Sequence, residues 1–250
     1  MRRHRLTDEQ YARLEPLLPG RVGSPGARAR DNRLFLNAVV WLGKTGAQWR
    51  DLPERFGKPN TVLVRFRRWV KSGRWQRIFE ALQAPDLEWL MTPGSTIVRA
   101  HQHAAGQNGG PVQHALGRSR GGLTTKVHVA RDALGNPVRF VLTSGNRNDI
   151  TQAGGLLDGL SPEAVVADRG YDSAARVERI KALGAEAVIP SRRTNKQQRA
   201  YDANLYADRS KVERLIGRLK QHRRVATRYD KTAASYLGFV HVAAILALLN

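Results

Sequence analysis

Ala164-Val165-Val166-Ala167-Asp168-Arg169-Gly170-Tyr171-Asp172 is the stretch that decides the fold. Its four small or β-branched apolar residues predict a short buried strand over 164–167. Asp168 then stands at the strand's C-terminal end, where ligands of open α/β sheets gather. Alone, an acid there is as often a helix cap, and Asp172 reads as the cap of a helix over Ser173–Leu183. Upstream, Ser95–Ala100, Leu123–Ala130 and Pro137–Thr143 are rich in Val, Ile and Thr and read as strands. Leu134-Gly135-Asn136-Pro137 predicts the hairpin turn between the last two. A helix is expected over Asp149–Leu157, and Glu186–Ile189 forms a fifth strand stopped by Pro190. Three strands followed by alternating helices and strands indicate an α/β domain over 87–250.

Residues 1–86 follow a helical period instead. Thr7 with Gln10 three residues later is a capping-box pattern, opening a helix with Tyr11, Leu14 and Leu17 on one side. A second helix is expected over 31–43 and a third over Asn60–Lys71, capped by Asn60. The third turns Val62, Phe66, Trp69 and Val70 inward and Arg65, Arg68 and Lys71 outward. A fourth covers Arg74–Leu82. This all-helical region, with one basic helix backed by aromatics, is a helix-turn-helix-like DNA-binding candidate. A plain helical bundle with a solvated cationic face is the alternative.

The chain of 250 residues carries 42 Lys and Arg against 21 Asp and Glu, a formal charge of +21. That excess calls for a polyanionic partner, nucleic acid before a membrane surface. It sits in two places, +10 over residues 1–86 and +9 over 190–231. The absence of cysteine excludes disulfides, thiolate metal sites and thiol catalysis. No apolar run is long enough to span a bilayer, and the basic N-terminus lacks the apolar run of a signal peptide. A cytoplasmic, nucleoid-associated protein is expected.

Tyr206, Arg209, Glu213 and Lys220 are spaced by three, four and seven residues, which puts them on one stripe of a helix. Val212, Leu215, Ile216 and Leu219 form the neighbouring apolar stripe, so Glu213 lies at the border of the buried face. An ordinary i,i+4 pair of Arg209 with Glu213 explains this spacing equally well. Taken with Asp168, Glu213 suggests a magnesium site of hard oxygen ligands.

These residues resemble a known family. The signature Tyr206/Arg209/Glu213/Lys220, the block 166–172, Ala115–Lys126 (ALGRSRGGLTTK), Arg223–Lys231 (RRVATRYDK) and Trp49–Gly57 (WRDLPERFG) are similar to bacterial insertion-sequence transposases of the family numbered five, in the DDE superfamily. The resemblance implies an RNase H-like (retroviral integrase-like) catalytic domain and two Mg²⁺ or Mn²⁺ ions. It also implies double-stranded DNA, transposon ends and target, as substrate, and a homodimer or larger assembly. On it, Asp168 and Glu213 are metal-binding catalytic carboxylates, with Lys220, Arg209 and Tyr206 beside them. Arg118, Arg120, Lys126, Arg223, Arg224 and Arg228 join Arg65, Arg68 and Lys71 as DNA-binding residues. The family pattern places an Asp before Ser95-Thr96, whereas this chain has Thr92-Pro93-Gly94. The expectation is a transposase impaired by that loss, or a catalytically inactive DNA-binding remnant or repressor.

His101-Gln102-His103 puts two imidazoles on one side of an extended segment, a possible zinc pair without a third ligand at zinc spacing. The resemblance includes this His-x-His and favours DNA contact there. Gly43-Lys44-Thr45 lacks the first glycine of a P-loop. The apolar helix expected over Tyr236–Leu249 is read as docking against the sheet.

Overall fold

The computed structural model describes residues 4–21, 29, 31–106, 110–191, 195, 198–207 and 211–250. Its elements are α1 (Asp8–Leu14), α2 (Asn32–Thr45), α3 (Pro59–Lys71), α4 (Arg74–Ala81), β1 (Trp89–Ala100), α5 (Gly110–Gln113), β2 (Gly117–Ser119), β3 (Gly122–Arg131), β4 (Pro137–Ser144), α6 (Ala153–Leu157), β5 (Ala164–Val166), α7 (Ala174–Ala182), β6 (Glu186–Val188), α8 (Ala203–Ala207), α9 (Lys211–Lys220), α10 (Arg223–Ala226), β7 (Thr227–Arg228) and α11 (Ala233–Leu248). They divide between two compact units. One holds Met1–Gln83, Arg99–Gly110 and Leu219–Asn250, and the other Ala84–Val98 with Pro111–Arg218.

In the second unit, strands neighbour one another in the order β2-β3-β1-β5-β6, with β4 also paired to β3. β3 and β4 are antiparallel, while β1, β5 and β6 run parallel. Helices cover both faces, as a parallel sheet requires, and the residues of each strand alternate between the two cores. Leu90, Val165, Ala167, Ala187 and Ile189 pack under Val177 and Ile180 of α7. Trp89, Ala164, Val166 and Val188 face the opposite way, against Leu205 and Tyr206 of α8 and Ile216 of α9. The mixed α/β order with a helix on each side of a central parallel pair agrees with an RNase H-like fold.

The hairpin side of this sheet is closed by a backbone approach that only glycine permits. A Cβ on Gly145 would stand 1.9 Å from Thr124 Oγ1, and one on Gly117 would stand 2.7 Å from Ser144 Cβ. Ala115, in the left-handed region at φ 53°, accepts the Thr125 hydroxyl at 2.6 Å and begins that approach.

The first unit is an aromatic-cored helical assembly. Thr7 and Gln10 form the expected capping box. α3 starts one residue earlier than the pattern suggests: Pro59 occupies its first turn and Lys58 precedes it, so Asn60 is not the cap. A proline is preorganised for that place and has no N–H to satisfy. Phe66 stacks on Phe239 of α11 at 4.6 Å, and Trp69 meets Phe35 and Trp75, each at 4.9 Å. The expectation that the C-terminal helix docks on the sheet is therefore corrected. Ten of the 16 residues of α11 are buried, and they pack among α2, α3 and α4. A helix apolar on all sides carries no directional signal in its sequence, so hydropathy could not name its partner.

One further expectation changes. Ser173, not Asp172, precedes α7. Asp172 is instead buried, receiving Arg199 Nη2 at 2.9 Å and Asn195 Nδ2 at 2.8 Å. Positions 195 and 199 are thus tied to Asp172, and the Arg199 N–H also donates to Ser191 Oγ at 2.9 Å. Among the described residues no helix is long and apolar enough to cross a membrane.

Candidate active site

Asp168 ends the central parallel strand as the sequence predicts. Its backbone is extended (φ −78°, ψ 170°), and its carboxylate accepts the Gly170 N–H at 2.8 Å, capping the single 3₁₀ turn Arg169–Tyr171. Asp168 lies two residues past the end of β5, whose Ala164 and Val166 face α8 and α9. Glu213 lies in the first turn of α9 and is exposed, one turn before Ile216, which seats that helix on the same face. Glu213 is thus carried by a helix that packs against the Ala164 and Val166 side of the sheet. Tyr206 is on α8, where it packs against the Trp89–Val166 core. Tyr206 lies within Ala203–Ala207 and Glu213 within Lys211–Lys220, and Arg209 falls outside the described residues. Lys220 is the last residue of α9, half-buried.

A third acid, which the sequence reading passed over, lies on the same sheet. Asp149 opens the turn after β4. Its Oδ2 accepts the Ser95 hydroxyl at 2.9 Å, and Lys126 Nζ lies 2.8 Å from Oδ1. His128, fully buried on β3, has Nδ1 3.7 Å from the same oxygen and pairs through Nε2 with Thr143 Oγ1 at 2.8 Å. Burial pushes the His128 imidazole down to about 4, opposed by Asp149 and assisted by Lys126. Tyr171, three residues after Asp168, is buried with an unpartnered hydroxyl. Desolvation raises its phenol far above the usual range, and the charges of Asp149 and Asp168 add to the rise. Both acids thus lie within electrostatic reach of one phenol. The missed signal was an acid just past an apolar strand, the pattern that drew attention to Asp168.

The basic residues divide into two groups. Arg68, Lys71, Arg118, Arg120 and Arg223 are exposed. The side chains of four other predicted DNA contacts are engaged by the protein's own groups. Arg65 lies over Phe35 at 4.2 Å and donates to Asn32 and to the Asp31 carbonyl. Lys126 is only 12% exposed, bonded to Asp149 and to the Arg147 carbonyl. Arg224 is buried, with two bonds of 3.2 Å to Asp230. Arg228 is fully buried, donating to the carbonyls of Asp230 and Lys231 at 2.9 Å, and burial lowers its guanidinium to about 10. Clustered Arg in sequence does not distinguish a phosphate contact from a guanidinium that knits a core.

Comparison with known proteins places this arrangement. Residues 95–248, well over half the chain, match the family described as "Transposase DDE domain". The chain belongs to that DDE transposase family. Residues 6–79 of this transposase match a second family, "Putative transposase of IS4/5 family". It is 37% identical over 134 residues to a putative transposase for insertion sequence element IS6501 of Brucella ovis, covering 51% of this chain and all of that protein. It is 32% identical over 138 residues to a putative transposase for insertion sequence element IS402 of Burkholderia cepacia, half of this chain and 63% of the relative. An uncharacterized protein, y4sN, of Sinorhizobium fredii is 41% identical over 131 residues, 51% of this chain and 95% of its own. The DDE segment of this transposase, continuous in sequence, is shared between both compact units, because Arg99–Gly110 and Leu219–Asn250 pack with the N-terminal helices.

Divalent ions serve this family, and the residues present match that chemistry in part. Asp168 and Glu213 are hard oxygen donors of the right class. Among the described residues no three His, Asp or Glu side chains converge as a metal-holding group. Gly94, buried in β1, supplies no donor where the resemblance expects one.

Proposed function

We propose that this chain is the DNA transposase of a bacterial insertion sequence, binding terminal inverted repeats as a homodimer or larger assembly. In this reading the helical region carries end recognition through α3, whose Arg68 and Lys71 are exposed, and the sheet unit carries strand cleavage and transfer. What supports this reading is an acid, Asp168, just past the end of β5 and another, Glu213, on the helix that packs against that strand, in a chain with a charge of +21.

Asp168 and Glu213 would hold a divalent ion, which when bound supplies Lewis acidity and lowers the pKa of water. The Gly170 N–H fixes the Asp168 carboxylate in orientation before any ligand arrives. Lys220 and Arg209 bind phosphate oxygens by charge-assisted hydrogen bonds. Without a carboxylate at position 94, Asp168 and Glu213 would hold fewer than the two metal ions the resemblance implies, and the cleavage rate is severely reduced. The second reading, a DNA-binding remnant or repressor that occupies terminal repeats without cutting them, is favoured by the same Gly94.

Nicking of the element's own terminal-repeat duplex, with and without Mg²⁺, tests both. Mg²⁺-dependent nicks lost in Asp168→Asn and Glu213→Gln support the transposase reading. Tight binding with no nick at any Mg²⁺ concentration selects the remnant. Binding should weaken steeply as salt rises, because many phosphates are contacted. A salt-insensitive complex refutes the nucleic-acid reading altogether.

A further inference from the structure

Among the described large apolar side chains of the first unit, Val64 alone is exposed, at 46%, and it lies in the middle of the outer face of α3. That face is one stripe. Asn60, Thr61, Val64, Arg67, Arg68 and Lys71 are all exposed, at spacings of three and four residues that keep them on one side of a helix. Val62, Phe66 and Trp69 are buried on the other side, and Arg65 at the flank is fastened to Asn32 and to the Asp31 carbonyl. The stripe is therefore presented by a helix locked at its back, which places side chains more closely than a loop does.

The chemistry of the stripe changes along its length. The first turn of α3 offers an amide and a hydroxyl, the middle an isopropyl group, and the last two turns three cations. Among the described residues no hydrogen bond ties down the side chain of Asn60 or Thr61. Cations alone position a protein on phosphates and carry no sequence information. An isopropyl group set among them gains nothing from phosphate or from water. The major groove gives it an apolar partner, the thymine methyl, and gives a free amide the N6 and N7 edge of adenine.

We propose that Val64 and Asn60 are the residues by which α3 tells one DNA sequence from another: Val64 packs on a thymine methyl and Asn60 bonds an adenine edge in the major groove, while Arg67, Arg68 and Lys71 hold the flanking phosphates. The inference rests on the end-recognition reading above and deepens it, because the cations of that reading bind any duplex. Residues 60 and 64 stand about 6 Å apart along the helix axis, close to two base-pair steps of roughly 3.4 Å. The preferred site therefore carries two A·T pairs that are adjacent or separated by one pair.

The test selects duplexes for the full chain from a library with a randomised core, then rebuilds the selected duplex with deoxyuridine at each thymine in turn. That exchange removes one methyl group and leaves every phosphate in place. At one position it weakens wild-type binding about fourfold, the scale of one buried methyl, and Val64→Ala binds both forms equally. Asn60→Ala binds the selected duplex about tenfold more weakly, with its affinity for a scrambled duplex within about twofold of wild type. Arg68→Ala weakens both duplexes alike and lowers the salt dependence. Alanine is the better helix former at both exposed positions, so misfolding does not mimic these losses. A selected motif that both Val64→Ala and Asn60→Ala bind as wild type does, with the same deoxyuridine response, overturns the inference and leaves end recognition standing. Binding with no selected motif, or no binding to any duplex, overturns both.

Discussion

The Ser95 hydroxyl donates to Asp149 Oδ2 at 2.9 Å, fastening the residue after Gly94 to an acid 54 positions later. Position 94, within β1, is thus the neighbour of a residue already held by a carboxylate. Gly94→Asp is expected to raise Mg²⁺-dependent nicking by roughly 10- to 100-fold, the scale on which metal-site partners act. Gly94→Asn, matched in size but without the charge, should give no gain. An equal response from both variants would show that volume, not a missing ligand, limits the chain.

Asp149 is also expected to hold the hairpin edge of the sheet together. Its removal leaves the Lys126 ammonium, 12% exposed, without its carboxylate and the Ser95 hydroxyl without its acceptor. Asp149→Ala should cost about 1–3 kcal/mol, the penalty for unsatisfied buried partners, tempered here because Asp149 itself is one-third exposed. Urea denaturation of the variant checks this, and Lys126→Met in the same background should recover part of the loss by removing the stranded charge.

Much of this was legible in the sequence, and the rest failed for identifiable reasons. The capping box at Thr7, the strand ending before Asp168 and the hairpin at Gly135 are local features, decided by residues within a few positions, and the structure has them. The partner of α11 was not legible, because an apolar helix with no polar stripe fits any apolar surface. The Asp172–Arg199 pair spans 27 positions and Ser95–Asp149 spans 54, so no periodicity reports them. The burial of Arg224 and Arg228 was not legible either, because their partners, Asp230 and nearby carbonyls, lie in a turn that spacing cannot fold.

Asp230 should be a stability residue rather than a DNA contact. It receives both Arg224 bonds at 3.2 Å, and both side chains are at most 6% exposed. Breaking such a pair leaves a buried charge uncompensated and costs about 3–5 kcal/mol. Asp230→Ala is therefore expected to unfold at markedly lower denaturant, with Trp49 fluorescence following, since Arg224 lies over that ring. A variant of normal stability but weakened DNA binding would mean that Arg224 acts on phosphate after all.

Stability should fall on mild acidification because two histidines are buried in neutral form. His241, 6% exposed and stacked on Phe79 at 5.4 Å, is pushed by burial down to about 4, as is His128. In the unfolded chain each takes up a proton near pH ~6.5. Between these values the unfolded state binds the extra protons, so stability is complete above about pH 6.5 and is lost as pH falls toward 4. Each histidine contributes a slope of up to about 1.4 kcal/mol per pH unit and roughly 3 kcal/mol across the window. Urea denaturation at intervals from pH ~7 to ~4.5 measures the slope. His241→Leu should remove about half of it, leaving the His128 share. An unchanged slope in that variant would show that His241 is already charged when folded, or that carboxylates dominate the acid transition.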